Sequence, residues 1–496
     1  MHRAVTRPVA SATIALCLVI ASSASARARC RSADPGGPRT IVIALDGVPF
    51  RVAQQARERG AFENWPDALP LVSTFPSITN VAFTALLDPF DVEPARGYEV
   101  QHFDKDQNEV VGGRPNSYHT ETYAWRELFD VTGKTFGSKL AGYVSPKKKL
   151  WKEMDAGRAA LYGLSRDLVL VHGEAADALG HLRGDPPLLE FLLELDTWLV
   201  ELQREHLEAF GRPLRIVLLS DHGITRNKVH RLSGIRRLLR KAGLQVVDRL
   251  VGHDDVIAAT FGLVSYGALF LRSDRAEIAA SAVAGHKGVN LAAWVSAERE
   301  ISVVSKQGKA TIHWTGERGG LRLAYRPGSG DPLQLTDTLE RLSDANLLDD
   351  RGFASENDWF TQSALAAFPD GPRRLFDALT GTYVKNVATV MFSLRAGYAW
   401  GWRSGHASSW LNGGRIEGTH GGLDRDSTLG FFLTNDAAAL PHDVAVAADG
   451  SLASFAEFTD CLAPNVSEDA SSGPSNVEPD SSHQGQGVAA LNDARP

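Results

Sequence analysis

The sequence predicts an α/β fold, a mostly parallel central sheet with helices on both faces, carrying an α+β insertion. Three observations predict it. Short continuous apolar runs recur along the chain, the pattern of strands buried on both faces. Stretches with apolar residues at helical spacing lie between them. Residues 225–405 change texture, and the segment from Val289 to Trp314 within them alternates like a β-meander.

The first run is Thr40-Ile-Val-Ile-Ala-Leu45. Others are Leu168–Val171, Ile216–Leu219, Val390–Leu394 and Leu429–Leu433. Leu188 to Val200 spaces its leucines for one helix face. In the insertion, Val229 to Leu244 reads as a basic helix with Arg236, Arg237 and Arg240, while Val289–Val295, Ile301–Val304 and Ala310–Trp314 alternate. No internal repeat is present.

The chain has 496 residues, 43% hydrophobic and 22% charged, which excludes a disordered or polytopic membrane protein. Fifty-two basic against 59 acidic residues give a charge of −7, so no nucleic-acid duplex binding is expected. Three cysteines exclude a disulfide scaffold and a Cys₄ zinc fold.

Residues 1–26 read as a secretory signal peptide. Arg3 and Arg7 precede an apolar stretch from Ala12 to Ala21, and Ala24-Ser-Ala26 offers a cleavage site. The apolar stretch is about half of what a bilayer span needs, so no stable membrane span is expected after cleavage. The expected location is secreted or periplasmic. There a Cys30–Cys461 disulfide is permitted. Residues 27–39 form a polar leader, 40–461 the catalytic domain with its insertion, and 462–496 a disordered acidic tail. Asn465-Val-Ser467 is a glycosylation sequon.

Chemistry-bearing residues gather at the carboxyl ends of the predicted strands, where open α/β sheets place their sites. Asp46 ends the first run. Asp177 and His181 follow the second, in Asp177-Ala-Leu-Gly-His181. Asp221 and His222 close the third, and His420 stands in Gly418-Thr-His-Gly-Gly422 before the last. Three Asp and three His suit two divalent ions, with zinc, manganese and iron all compatible. Alone, each has a plain reading as a turn, a cap or an exposed loop residue. Their joint arrival at strand ends favours the metal reading.

The nucleophile expected is Thr74, in Thr74-Phe-Pro76, because Pro76 suits the first turn of a helix. A hydroxyl there meets backbone N–H groups and the positive end of the helix dipole, which suits a phosphoryl group. The plain alternative is that Thr74 or Ser77 only caps the helix.

This ordered set resembles the alkaline phosphatase superfamily, and most closely its nucleotide pyrophosphatase/phosphodiesterase branch. The resemblance covers roughly residues 40–225 and 385–435. It implies two zinc ions, one on Asp177, His181 and His420, the other on Asp46, Asp221 and His222, with Thr74 as metal-bound nucleophile. Asn80 and Gln101 are the candidates for phosphate contacts; Gln101 stands where the branch has an asparagine. Sulfatases differ, since Ile78 stands where they carry arginine.

The expected activity is hydrolysis of phosphodiesters or pyrophosphates through a phosphothreonine, on a small-molecule or lipid phosphate ester. A monoesterase or phospho-head-group transferase is the alternative among enzymes. A catalytically inactive binding homologue is the alternative of another class. No Lys-x-Arg pair follows Thr74 to meet a monoester's second charge; Lys147-Lys-Lys149 and the arginines of the insertion are the remaining cations.

Overall fold

The computed structural model describes residues 37–112, 123–133, 144–259, 262, 264–401, 415–440 and 444–458. The signal peptide, the leader up to residue 36, Cys30, Cys461, the sequon and the tail lie outside the described residues.

A six-stranded sheet organises the molecule. Its strands are β1 (Arg39–Leu45), β2 (Leu69–Val72), β3 (Leu168–Gly173), β4 (Leu214–Leu219), β5 (Leu429–Thr434) and β6 (Val446–Ala447), in the order β6-β2-β5-β4-β1-β3. β1 pairs in parallel with β3 and with β4. β5 runs antiparallel to both β4 and β2, and β6 runs parallel to β2. One strand is therefore reversed in a sheet otherwise of one direction.

All seven residues of β1 are buried. Ile41, Ile43 and Leu45 pack on one side with Val52, Ala53 and Ala56 of α1 (Phe50–Glu58). Val42 and Ala44 pack on the other with Val81, Phe83 and Ala85 of α2 (Thr79–Leu86). This two-sided burial is why the run reads as continuously apolar rather than alternating. Helices α3 (Pro146–Gly163), α4 (Ala175–Arg183) and α5 (Asp185–Phe210) complete the first side.

A second, nine-stranded sheet is built from residues 245–394. Val289–Ala297, Glu300–Ser305 and Gly308–Thr315 form the antiparallel meander that their alternation predicts. Val390–Leu394 belongs to this sheet, pairing with Val289–Ala297 and Tyr266–Leu271, and is not a central strand. The basic helix is shorter than expected, Ile235–Lys241. Gly234 at φ +97° precedes it and Gly243 at φ +87° follows it. Helix α6 (Gly371–Thr380) packs on the second sheet, and its Arg374 reaches Thr74 O, just past β2. Among the described residues no helix is long and apolar enough to cross a membrane.

Candidate metal centre

The carboxyl edge of the central sheet assembles the expected ligands. Asp46 immediately follows β1, and Asp221 and His222 lie just beyond β4. Asp177 and His181 sit four residues apart on α4, hence on one helix face. His420 precedes β5. Because β5 is antiparallel, its start lies at the same edge as its neighbours' ends, which brings His420 into the cluster.

Asp46, Asp221 and His222 each offer one atom within 4.8 Å of the others, and so do Asp177, His222 and His420. His222 Nε2 is 3.4 Å from Asp46 Oδ1 and 3.5 Å from Asp221 Oδ2. Asp177 Oδ1 lies 3.2 Å from His181 Nε2 and 3.5 Å from His420 Nε2. The His222 and His420 rings stack at 4.0 Å. All six expected residues lie in the cluster, but the second converging group holds His222 in place of His181, which meets Asp177 Oδ1 from outside it.

The histidine tautomers follow from their outer partners. His181 Nδ1 faces Gly418 O at 2.8 Å, His420 Nδ1 faces Ser77 O at 2.9 Å and His222 Nδ1 faces Gly223 O at 3.1 Å. A carbonyl only accepts, so each Nδ1 carries the proton. Each Nε2 lone pair then points at carboxylate oxygens. Lone pairs facing anions at 3.2–3.5 Å call for a cation or a proton between them. Asp177 Oδ1, Asp221 Oδ2 and His222 Nε2 are moreover buried without an aligned hydrogen bond. The donor set fits divalent metal.

Protons take that place when no metal does. Burial works against the His222 cation, but Asp221 and Asp46 outweigh it and hold the imidazolium up to about 10. Burial, helped by the Asp46 charge, pushes the Asp221 carboxyl up to about 7. Burial and the neighbouring His222 push His420 down to about 3. Asp46 stays well below the carboxylate range: burial opposes ionisation, but His172 and His222 overcome it. Metal binding must therefore displace protons.

The hydroxyl beside Asp46 belongs to Thr79. Thr79 Oγ1 is 3.2 Å from Asp46 Oδ1 and 3.5 Å from Oδ2. Thr74 Oγ1, where the nucleophile was expected, donates to Pro76 O at 3.0 Å and makes no hydrogen bond to the cluster among the described residues. The difference comes from the helix start. Pro76 does not open α2; Ile78 is its N-cap and Thr79 its first residue. Residues 74–77 are tied down instead. Ser77 Oγ donates to Thr74 O or Gly422 O, and the Arg374 guanidinium donates to Thr74 O and Ser77 Oγ. A threonine followed by Asn80 at the true first turn was the available signal.

Asn80 is the second residue of α2 and half-buried, and Gln101 is half-buried before the short strand His102–Asp104. Neither side chain hydrogen-bonds to the cluster among the described residues. The other expected cations are engaged or outward. Lys147 pairs with Glu190 and Glu194, and Lys149 with Glu153 and Glu174. Arg236, Arg237 and Arg240 are exposed. His172, which the sequence did not single out, is fully buried with Nε2 3.2 Å from Asp46 Oδ2.

Residues 93–362, more than half of the chain, match the family model of type I phosphodiesterase/nucleotide pyrophosphatase. The chain belongs to that family. It is accordingly a hydrolase of the phosphodiesterase/pyrophosphatase type, and the matched span contains Asp177, His181, Asp221 and His222. No curated protein matches it. Among solved structures, human ectonucleotide pyrophosphatase/phosphodiesterase 5 is 12% identical with TM-score 0.42, over 85% of this chain and 95% of that one. The inactive murine protein in complex with AMP is 13% identical with TM-score 0.43, over 86% and 96%. Phosphonoacetate hydrolase from Sinorhizobium meliloti with phosphonoformate is 14% identical with TM-score 0.45, over 86% and 96%.

Proposed function

We propose that this family member is an exported two-zinc hydrolase of phosphodiesters or pyrophosphates that works through a phosphothreonine on Thr79. The observation that carries the proposal is the Thr79 hydroxyl resting on Asp46 beside the two Asp/His groups. Export rests on the sequence of residues 1–26.

Asp46, Asp221 and His222 would hold one ion and Asp177, His181 and His420 the other; bound there, the pair supplies positive charge that stabilises an ionised hydroxyl and a leaving oxygen. The chain's own groups do the rest. Asp46 Oδ1 orients the Thr79 hydroxyl and is the nearest acceptor for its proton. Thr79 Oγ1 attacks phosphorus, the P–O bond to the leaving group breaks, and a phosphothreonine forms. Water then attacks phosphorus, the Thr79 Oγ1–P bond breaks, and the hydroxyl regains a proton. Thr79 is the first residue of α2, so free backbone N–H groups of that turn face the phosphoryl oxygens. Asn80, on the same turn, would contact them.

A diester is the favoured substrate. A monoester's second charge needs another cation, and Lys147, Lys149 and Arg374 are already committed to protein partners.

The test compares Thr79→Ala, Thr74→Ala and Ser77→Ala on an aryl phosphodiester, with zinc content measured beside turnover. Thr79→Ala should lose roughly 10³-fold or more in kcat, on the scale of nucleophile removal elsewhere, and keep most of its zinc. The other two should stay within about one order of magnitude. An inert Thr74→Ala beside an active Thr79→Ala would return the role to Thr74. An inactive wild type that still binds phosphate esters would favour the binding-homologue reading.

A further inference from the structure

We propose that His172 is a positioning residue of the metal centre, acting as a fixed hydrogen-bond donor that assigns separate tasks to the two oxygens of Asp46. The proposal rests on the two-ion reading above and adds a residue to it.

His172 lies near the end of β3, opposite Ala44 in the parallel β1–β3 ladder. Leu168, Leu170 and His172 alternate onto one sheet face, that of Ala44 and Asp46. The small Ala44 side chain leaves room for the imidazole to lean toward Asp46, two residues further along β1. Its ring is walled by aromatics: Phe83 at 4.9 Å, Trp125 at 5.4 Å and Phe129 at 5.5 Å between centroids. Each ring nitrogen meets one oxygen. Nε2 lies 3.2 Å from Asp46 Oδ2, and Nδ1 lies 3.2 Å from Thr132 Oγ1.

Tautomer separates His172 from the ligand histidines. Those carry their proton on Nδ1 against a backbone carbonyl and turn a bare Nε2 to the centre. His172 does the reverse. Its Nε2 faces an ionised carboxylate, which only accepts, so Nε2 carries a proton and cannot ligate a metal in that pose. The threonine hydroxyl can donate to the Nδ1 lone pair and secure this tautomer.

The consequence falls on Asp46. Its Oδ2 is held by His172, while Oδ1 faces His222 at 3.4 Å and Thr79 at 3.2 Å. A carboxylate held at one oxygen presents the other in one orientation. In a wall of aromatic rings, little water competes for that hydrogen bond. Outer partners of metal ligands orient them, and their loss typically costs 10–100-fold in metal affinity or activity.

The test uses full-length mature protein and three variants. His172→Phe keeps an aromatic ring in the box and removes the donor. His172→Gln restores an N–H near the Nε2 position. Thr132→Val removes the hydroxyl at Nδ1. Zinc affinities are measured by chelator competition, with kcat and KM on an aryl phosphodiester and the melting temperature of metal-free protein. In His172→Phe one of the two zinc sites should weaken about 10–100-fold, with kcat reduced and KM little changed. Metal-free melting should stay near wild type. His172→Gln should recover most of the loss, and Thr132→Val should show a smaller loss of the same kind. His172→Phe with both zinc affinities and kcat within twofold of wild type would overturn the proposal. So would equal losses in Phe and Gln variants accompanied by equal drops in metal-free melting, the mark of a purely structural histidine. A wild type that binds no zinc would fail the two-ion reading itself and take this inference with it.

Discussion

Replacing Gly47 by alanine should damage the metal centre far more than the fold. Gly47 follows Asp46 at φ +65°, and its N–H donates to Asp221 Oδ1 at 3.1 Å. An alanine held left-handed costs about 1–2 kcal/mol, a modest part of a typical stability of about 5–15 kcal/mol. The added Cβ has a second effect. It would stand 2.8 Å from Asp177 Oδ1, 3.1 Å from His222 Cε1 and 3.3 Å from Ile224 Cδ1. The carboxylate oxygen is the atom free to yield, and it must retreat by several tenths of an ångström. Metal–ligand distances tolerate about 0.2 Å. Zinc affinity at the Asp177 group should therefore fall at least about tenfold, on the scale of losing ligand orientation. Gly60→Ala is the control: it has φ +90° and nothing within 4 Å of an added Cβ. Both variants should lose similar metal-free stability, measured by calorimetry. Only Gly47→Ala should weaken zinc in chelator competition. Wild-type zinc affinity in Gly47→Ala, or equal zinc loss in Gly60→Ala, would refute the reasoning.

Three further outcomes are expected. His420→Ala and Asp221→Ala should each lose zinc and turnover together, checked by metal analysis beside the diester assay; full activity after exhaustive chelation would remove the two-ion reading. Asp370 has its carboxyl pushed up to about 8, chiefly by burial, with Arg373 opposing. The unfolded residue ionises near pH 4, so between about pH 4 and 8 the folded state retains a proton the unfolded state has lost, and stability falls as pH rises. Asp370→Asn should accordingly gain melting temperature over wild type at pH 8 and gain less at pH 5. For substrate choice, kcat/KM should be higher for an aryl phosphodiester than for its monoester, by about ten- to a hundredfold if one charge-assisted contact of about 1.5–3 kcal/mol is missing. A strong monoester preference would sink that expectation and leave the metal centre standing.

The parts of the centre legible in the sequence are those fixed by strand ends. Asp46, Asp221 and His222 each follow a run that is apolar because both its faces are buried, so the run's end locates them. Other features depend on tertiary context. An apolar run does not say which sheet it joins, and Val390–Leu394 joined the second. β2 escaped notice because it has four residues and includes Pro70, which pairs opposite Phe431. Thr79 was passed over because Pro76 mimicked a helix start, while residues 74–77 are tied down by hydrogen bonds from Arg374 and from Ser77 to Gly422 O. His172 lies one residue past the apolar run Leu168–Val171, and only its register opposite Ala44 brings it beside Asp46.

Those same hydrogen bonds tie α6 to the cluster. Arg374 of α6 is buried, and its guanidinium donates to Pro369 O, Leu423 O, Thr74 O and Ser77 Oγ. Two of these acceptors, on residues 74 and 77, lie in the segment leading to Thr79, and Leu423 is three residues past His420. Ser77 closes the circuit, with its carbonyl accepting from His420 Nδ1. The acceptors are all uncharged, and burial lowers the guanidinium to about 9. A buried cation among neutral acceptors is a costly way to gain stability alone. Its planar fork, however, spans several carbonyls in one fixed geometry, which an apolar side chain cannot do. Helix α6 thereby holds the start of α2 and His420 in one frame.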